Sequence, residues 1–327
     1  MPPALRVAMD RSVIAHCGYH EGWMLQALYR RIRLRARIES IRDGGPKAHR
    51  APARWVRRPT IKPGARLCIF VVLARGGRLL PHSIDHARAW HDAGYDVVIT
   101  VVVDSLDQSI DTTPVDFADG LLLRVNRGYD FGAWAATIRL IGRTLAESSI
   151  LAIANDSVVG PSSSFGAMLY RVAGSGADLV GLVESKERAP HFQSFVLFFK
   201  QNALRSRVFR RFWNGVRSGE REYVVNNYEV TMRSRFEAAG LRTEPLHAAG
   251  DLLWFNPTIN GWRALLDAGF PYLKVQLLRD NPHHSPLKNW REAAARSGFD
   301  LLRLEHQLEE LERIGGSPWA FRIADQE

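Results

Sequence analysis

Residues 67–73, Leu-Cys-Ile-Phe-Val-Val-Leu, form a short continuous apolar run. Such a run is typical of a strand whose two faces are both buried. A helix-period pattern follows over His82–Ala93, and a second, β-branched run extends from Tyr95 to Val103. A buried strand, a helix of about 12 residues and another buried strand together predict a parallel βαβ unit.

The same alternation continues along the chain. Gly120–Val125 and Ser149–Ala154 are predicted strands, with a helix over Phe131–Leu145 between them. The pattern predicts an α/β fold with a mostly parallel sheet between two layers of helices. Beyond Gly160 the order is looser, and the further predicted elements are strands at Leu179–Glu184 and Ser194–Phe199 and helices at 200–218, 225–239, 260–268 and 287–314.

Composition is that of a globular protein, with 46% hydrophobic and 24% charged residues among 327. The formal net charge is +10, of which residues 1–60 hold +9 and residues 61–327 only +1. A nearly neutral main body argues against a nucleic-acid enzyme, because such an enzyme carries basic residues along its binding face. Two cysteines cannot make a disulfide framework, and no Cys/His cluster has zinc spacing. No apolar run reaches the ~18–20 residues of a membrane span. We therefore expect a cytoplasmic protein without a secretory signal.

The sequence predicts three parts. Residues 1–64 form a basic N-terminal arm and linker, residues 65–285 the main domain, and residues 286–327 a helical tail packed on that domain. Within the arm, residues 21–41 fit a helix, although residues 31–38 alternate with the period of a strand. Two roles are open for the arm: attraction to anionic lipid, and a helix that packs on the domain with a solvated basic face.

Polar side chains follow three predicted strands at their carboxyl ends, where open α/β sheets bind ligands. They are Asp104 after the second strand, Asn126, Arg127, Gly128 and Asp130 after the third, and Asn155, Asp156 and Ser157 after the fourth. Carboxylates beside a helix entrance suit a nucleotide with its diphosphate, because a helix N-terminus attracts anions. Structural roles are the alternative: Asp130 as the helix N-cap, and residues 155–157 as an Asx turn. No dinucleotide fingerprint and no P-loop follows the first strand.

Several stretches of the chain are distinctive. They are Asn126-Arg127-Gly128-Tyr129-Asp130, Asn155-Asp156-Ser157 with Gly160-Pro161, His191-Phe192-Gln193-Ser194-Phe195, Tyr228-Glu229, Asn256-Pro257-Thr258 and residues 277–282. Together they resemble the rhamnan synthesis protein F family of bacterial glycosyltransferases, over residues 65–285. The resemblance implies a GT-A-type Rossmann-like fold with a nucleotide-sugar donor at the first strands. It also implies transfer of a sugar, commonly rhamnose from a dTDP-linked donor, onto a lipid-linked cell-surface polysaccharide such as O-antigen.

By position, the resemblance assigns donor binding to the polar residues at the three strand ends. Asp156 stands in the place of the GT-A Asp-x-Asp motif and is the candidate ligand for Mg²⁺ or Mn²⁺. Because Asn155-Asp156-Ser157 has one carboxylate instead of two, a metal would need further ligands from Asp104 or from His283 and His284.

An inverting transferase needs a general base beside the acceptor hydroxyl. By family position this base is Glu229, at the start of the predicted helix 225–239. In the alternative, Asn226 and Glu229 form a capping box, with Glu229 returning to a backbone N–H. The candidates for acceptor binding are His191, Gln193 and Ser194. For His191, the alternative is a half-exposed position at the edge of a strand.

Lys274 and Arg279 are the basic residues available to the leaving diphosphate, with solvated surface positions as the alternative.

Three functions remain. The first is a glycosyltransferase at the cytoplasmic face of the membrane. The second is a nucleotide-sugar-binding scaffold that has lost catalysis, which the single carboxylate of Asn-Asp-Ser favours. The third, a nucleic-acid-associated protein, is disfavoured because the arm lacks interleaved aromatic residues for base stacking, so we expect no nucleic-acid partner.

Overall fold

The computed structural model describes residues 44–250, 256–315 and 319–324. The chain divides into two compact units, Met1–Asp43 and Gly44–Glu327, and all of the described residues belong to the second. The predicted arm helix and the alternating stretch at 31–38 lie outside the described residues. Within these ranges, no helix has both the length and the apolar character that crossing a membrane requires.

The strands of the described ranges are β1 Ala53–Arg57, β2 Arg66–Leu73, β3 Asp96–Val103, β4 Gly120–Val125, β5 Ile150–Asn155, β6 Val158–Val159, β7 Leu179–Ser185, β8 His191–Phe192, β9 Val196–Lys200, β10 Thr243–His247 and β11 Leu273–Lys274. The α-helices are α1 Pro81–Asp92, α2 Tyr129–Ile141, α3 Phe165–Gly174, α4 Gln201–Arg205, α5 Arg207–Gly215, α6 Arg221–Val224, α7 Val230–Glu237, α8 Pro257–Asn260, α9 Trp262–Asp267, α10 Val275–Arg279, α11 Trp290–Arg296, α12 Leu301–Gly315 and α13 Ala320–Ala324. Val225–Glu229 is a π-helical turn, and 3₁₀ turns lie at Ala48–Arg50, Thr113–Val115 and Gly142–Glu147.

Nine strands form one sheet in the order β1-β4-β3-β2-β5-β9-β7-β10, with β8 paired to β7 off that path. Neighbours within β4-β3-β2-β5 are parallel, and Phe70 of β2 lies opposite Ile99 and Ala154. β9 lies antiparallel between β5 and β7, and β7 pairs in parallel with β10. The predicted α/β fold is confirmed, and its sheet is mixed, since β9 and the edge strand β1 run against the parallel set.

Helices cover both faces of the sheet. On one face, α1 and α3 pack through Trp90 and Phe165, whose ring centroids lie 5.0 Å apart. On the other face, α2, α5 and α7 contribute Trp134, Trp213 and Phe236 to a second core. These rings are all buried, so they stabilise the layers by removing large apolar areas from water.

A third core lies among the helices after residue 256. It joins Trp262 and Leu277 to Trp290 and Leu308. Residues on both sides of the predicted boundary at 285 therefore share one core, and the C-terminal helices pack on α1 and α10.

Residues 44–64 differ from the predicted linker. Ala53–Arg57 is an edge strand, antiparallel to β4, with Trp55 opposite Leu122. Its side chains alternate between half-buried and exposed, and Trp55 packs against the second core. The Pro/Arg-rich composition hid this strand, because an edge strand needs apolar residues on one face only.

Two of the predicted long helices, 200–218 and 287–314, are interrupted, whereas the predicted helix 260–268 corresponds to α9. Ser206 separates α4 from α5, where its hydroxyl accepts the backbone N–H of Phe209 at 3.1 Å as an N-cap. Gly261 separates α8 from α9, and α12 starts beyond Gly298, whose φ of +79° ends the preceding helix.

Candidate functional site

A cavity of about 730 Å³ opens at the carboxyl ends of β2 and β5. It is bounded by the start of α2, the π-helical turn, the segment after β8, and α10. Residues from sequence positions more than a hundred apart therefore meet there. Ten of the predicted site residues line it: Asp130, Asn155, Asp156, Ser157, His191, Gln193, Ser194, Glu229, Lys274 and Arg279.

The other four predicted donor residues do not line this cavity. Asp104 is exposed after β3, and its backbone N–H donates to Gln108 at 3.4 Å. Asn126 and Arg127 are exposed on the loop before α2. Gly128 is buried with a φ of +81°, and a Cβ there would lie 3.1 Å from the side chain of Ala48. Its position is thus explained by the turn and close packing.

Asn155 organises the end of β5. Its Oδ1 accepts the backbone N–H of Ser157 at 3.1 Å and the Ser157 hydroxyl at 2.6 Å, so residues 155–157 do form an Asx turn. Its Nδ2 donates to Asp130 Oδ2 at 2.8 Å. Because only an amide both donates and accepts here, Asn155 links Ser157 to Asp130 in a way that an aspartate could not.

Asp130 lies in the first turn of α2, but it is not the N-cap that was the structural alternative. Gly128 occupies the cap position, and the carboxylate of Asp130 bonds across the cavity to Asn155. Burial, and after it the nearby Asp156 carboxylate, raise the pKa of Asp130 to about 7. A carboxyl that titrates near neutrality in a cavity is typical of functional sites.

Lys274 also lies beside the end of β5, although it is far from Asp130 and Asn155 in the sequence. The antiparallel pairing of β11 with β6 sets Lys274 opposite Val158, next to the end of β5. Its ammonium donates to Ser157 Oγ at 2.9 Å and lies 4.9 Å from the centre of the Phe195 ring. Burial lowers the pKa of Lys274 to about 8, against the opposing effect of the Glu229 carboxylate. A chain of hydrogen bonds thus runs from Lys274 through Ser157 and Asn155 to Asp130.

Glu229 ends the π-helical turn, inside a continuous helical segment that begins at Arg221. The capping-box alternative is wrong, because the helix does not start at Asn226, whose side chain instead accepts a hydrogen bond from Arg188 at 2.7 Å. Glu229 Oε1 accepts the backbone N–H of Ser194 at 3.0 Å. The π turn shifts the register of the helix, a distortion that is frequent at functional sites.

The predicted acceptor residues lie beside Glu229. His191 is buried in β8, and its Nδ1 donates to the carbonyl of Ala189 at 2.7 Å. Gln193 Nε2 donates to Asn256 Oδ1 at 2.9 Å. Gln193 Oε1 is buried and accepts no hydrogen bond within the described part of the chain. An unsatisfied buried amide oxygen costs stability, so it marks a position where a ligand hydroxyl would be stabilising.

Arg279 lines the cavity as an ion pair. Its guanidinium binds the carboxylate of the adjacent Asp280 through two hydrogen bonds of 2.9 and 2.7 Å. Both members line the cavity, so the pair presents little net charge. Lys274 is therefore the better-placed cation of the two predicted ones.

Few of the described side chains in the cavity are available as ligands for a metal ion. Within residues 44–250, 256–315 and 319–324, no three His, Cys, Asp or Glu side chains lie close enough together to hold a metal ion. Asp130 and Asp156 are neighbours, but one oxygen of Asp156 already accepts a backbone N–H of β2 at 3.0 Å. Asp104 and His284 do not line the cavity, although His283 does. The side chains present do not make up the ligand set that Mg²⁺ or Mn²⁺ at Asp156 would require.

Sequence reasoning missed several residues of this cavity. Arg75 follows β2, where the rule of strand carboxyl ends could have found it. His82 Nε2 donates to the backbone carbonyl of Asp156 at 3.0 Å, and burial lowers the pKa of His82. Tyr129 is 43% exposed at the cavity with a φ of +52°, which costs a bulky residue about 1–2 kcal/mol. Arg221 reaches the cavity from α6.

Fold and cavity together define an α/β protein with a polar cavity at the carboxyl ends of its parallel strands. The profile of the family described as rhamnan synthesis protein F matches residues 98–303, which is more than half of the chain. The chain belongs to this family, as the resemblance predicted. The description of this family names the synthesis of rhamnan, a polysaccharide.

Two curated relatives share part of the sequence. Virulence protein VirA of Vibrio anguillarum is 26% identical over 51% of this chain and 65% of its own length. The uncharacterized protein y4gN of Sinorhizobium fredii is 26% identical over 45% of this chain and 40% of its own length. The chain thus spans less than two thirds of either relative.

Two solved structures are similar at low identity. One is described as a nucleotide-diphospho-sugar transferase from Desulfovibrio desulfuricans, with a TM-score of 0.37, 11% identity, and coverage of 74% of this chain and 96% of that one. The other is a mutant Drosophila β-1,4-galactosyltransferase 7 in complex with manganese, UDP-Gal and xylobiose. Its TM-score is 0.32 and its identity 12%, over 57% of this chain and 66% of that one.

Proposed function

We propose that this chain is an inverting glycosyltransferase that moves a sugar, rhamnose from dTDP-rhamnose, onto a lipid-linked cell-surface polysaccharide. One observation carries the proposal: a carboxylate, Glu229, and a half-buried ammonium, Lys274, face one polar cavity. Transfer from a nucleotide sugar needs a base for the acceptor hydroxyl and a positive charge for the leaving diphosphate.

The donor lies on the side of the cavity formed by Asp130, Asn155 and Asp156, with its diphosphate against Lys274. An ammonium has three N–H donors, and Ser157 takes one of them, so two remain for phosphate oxygens. Partial burial strengthens this contact, because the surroundings screen the charges less than bulk water does.

The acceptor lies between Glu229 and Gln193. The Ser194 N–H holds Oε1 of Glu229, which leaves Oε2 to take the proton of the acceptor hydroxyl. As the acceptor oxygen bonds to the anomeric carbon, the bond from that carbon to the diphosphate oxygen breaks. The diphosphate leaves with the bonding electron pair beside Lys274, and attack from the opposite face inverts the anomeric carbon. Gln193 Oε1 accepts a hydrogen bond from an acceptor hydroxyl.

In this proposal the transferase domain includes the edge strand β1 and the C-terminal helices, and the basic residues 1–43 attract anionic lipid at the cytoplasmic face of the membrane.

A thermal-shift screen of dTDP-, UDP- and GDP-sugars, with and without Mg²⁺ or Mn²⁺, tests donor binding. A ligand that binds only the native state raises the unfolding temperature, and we expect the largest rise with dTDP-rhamnose. If no nucleotide sugar raises the unfolding temperature, the proposed donor site is refuted.

Glu229→Gln tests the base. The glutamine keeps an oxygen for the Ser194 N–H, so the fold and the donor-induced thermal shift should persist, while transfer falls by about 10²- to 10⁴-fold. Glu187→Gln is the matched control, since Glu187 is another carboxylate that lines the cavity, and it should retain most of the activity. Near-normal turnover by Glu229→Gln would refute the assignment of the base.

A non-catalytic scaffold is the second candidate, and the single carboxylate of Asn155-Asp156-Ser157 favours it. It predicts that the unmodified protein shows the donor-induced thermal shift but neither transfers the sugar nor hydrolyses the donor.

A further inference from the structure

The helical layer on the Trp134 side of the sheet exposes a strongly basic surface. We call it the basic face and define it as residues 44–52, 131–146 and 201–217. These segments contain nine lysines and arginines and no aspartate or glutamate: Lys47, Arg50, Arg139, Arg143, Arg205, Arg207, Arg210, Arg211 and Arg217. The exposed Glu147, at the end of the 3₁₀ turn that follows α2, borders them.

Contacts join the three segments into one surface. The 3₁₀ turn Ala48–Arg50 packs against α2, and α2 packs against α5. Burial, and after it the positive charge of Arg139, lower the pKa of His49 in that turn, so the turn and the end of α2 face each other. Arg205 Nε donates to the backbone carbonyl of Ala146 at 3.3 Å, which ties α4 to the 3₁₀ turn that follows α2.

Charge is separated within the main body. Residues 61–327 carry a net charge of +1, and 131–146 with 201–217 hold seven arginines and no carboxylate. The remainder of residues 61–327 therefore carries −6. The nearly neutral net charge of residues 61–327 therefore includes a positively charged surface, which produces a positive local electrostatic potential.

The arginines of the basic face are largely available to a ligand. Within the described part of the chain, Arg139, Arg143, Arg207 and Arg211 are exposed and make neither a hydrogen bond nor an ion pair. Leu140 lies among them and is 43% exposed. Unpaired guanidinium groups around an exposed leucine combine phosphate binding with an apolar contact.

We propose that the basic face docks the protein on an anionic lipid surface, with its arginines on headgroup phosphates and Leu140 at the acyl boundary. Nucleic acid fits less well, because base stacking requires exposed aromatic rings. The phenylalanines and tryptophans of the three segments are all buried: Phe131, Trp134, Phe209, Phe212 and Trp213.

The basic face lies close to the cavity. Helix α2 begins in the cavity with Tyr129 and Asp130, and its last turn carries Arg139 of the basic face, about 14 Å further along its axis. A lipid surface at the basic face would bring a lipid-linked acceptor within reach of Glu229. That consequence rests on the proposed function, whereas the docking itself does not.

Sedimentation of the full-length chain with vesicles tests the proposal without donor or acceptor. Vesicles of 30% phosphatidylglycerol in phosphatidylcholine are compared with pure phosphatidylcholine at fixed salt. The face variant combines Arg139→Gln, Arg143→Gln, Arg207→Gln and Arg211→Gln. A matched control removes as many exposed cations elsewhere: Lys62→Gln, Arg78→Gln, Lys288→Gln and Arg296→Gln.

Each basic residue near an anionic membrane strengthens the binding of a protein to it. Removal of four such residues should therefore weaken the affinity for anionic vesicles by about two to three orders of magnitude. We expect that loss for the face variant and less than a tenfold loss for the control variant, with equal unfolding temperatures. Equal losses for the two variants would assign binding to net charge or to residues 1–43 and overturn the proposal. So would tighter binding of the unmodified protein to a duplex oligonucleotide than to the anionic vesicles at the same salt.

Discussion

Asp130→Asn should make the protein more stable at neutral pH. The side chain of Asp130 is half-buried beside the Asp156 carboxylate, and these surroundings disfavour its charged form. Asparagine has the same shape, and its oxygen still accepts the Nδ2–H of Asn155. The substitution therefore removes a destabilised charge and leaves the hydrogen bond in place.

The pKa of Asp130 gives the size and the pH range of the effect. It rises from 3.8 to about 7 on folding. A rise of about three pKa units corresponds to at most ~4 kcal/mol, and solvent access to the side chain reduces this to roughly 2–4 kcal/mol. Between about pH 4 and 7 the native state binds the proton more tightly than the unfolded chain, so the stability of the unmodified protein falls as pH rises. The asparagine variant lacks this fall. The difference should be near zero at pH 4 and constant above pH 7.

Urea unfolding from pH 4.5 to 8.5, followed by circular dichroism, measures the difference directly. Asp267→Asn is the control, because it removes an exposed carboxylate at the end of α9 that does not line the cavity. A difference for Asp130→Asn that does not grow with pH, or that has the opposite sign, would refute the raised pKa and the role of Asp156 in it.

Two further substitutions test the cavity. Lys274→Met removes the half-buried ammonium and should weaken nucleoside diphosphate binding by about 10- to 100-fold, measured by calorimetry. In the unmodified protein, diphosphate affinity should fall above pH 8 as Lys274 loses its proton, and in Lys274→Met this fall should be absent. Asn155→Asp replaces the amide that donates to Asp130 with a third carboxylate, so stability above pH 7 should fall by about 2–3 kcal/mol. Mg²⁺ or Mn²⁺ should restore part of that stability in Asn155→Asp but not in Asn155→Ala.

The first half of the fold was predictable because its strands are short and uniformly apolar. The predicted Gly120–Val125 strand agrees with β4 at both ends, and the other parallel strands agree within one or two residues. The π-helical turn at Val225–Glu229 could not be predicted, since apolar spacing does not distinguish one π turn within a helix. The hydrogen bond from Ser194 to Glu229 joins residues 35 positions apart, and the sequence pattern does not record it.

The candidate site was predictable in part, through the rule that ligands bind at the carboxyl ends of parallel strands. The rule grouped Asp130 with residues 155–157 correctly. It also grouped Asp104 with them, but β3 lies two strands from β5, roughly 10 Å away, and the cavity opens on the β5 side. Lys274 reaches the cavity through a two-residue strand paired with β6, a contact too short to leave a pattern in the sequence.

Several unfavourable features lie together in the cavity. Tyr129 has a left-handed backbone, Asp130 has a raised pKa, and Lys274 has a lowered pKa. Simple substitutions to glycine, asparagine and methionine would relieve them, so packing alone gives no reason for these residues. A reaction that separates charge requires charged groups that are held in place before the substrate arrives, and partial burial of those groups costs stability. These three residues therefore lower the stability of the fold at the cavity. Their common location favours a catalytic site over a surface that only binds.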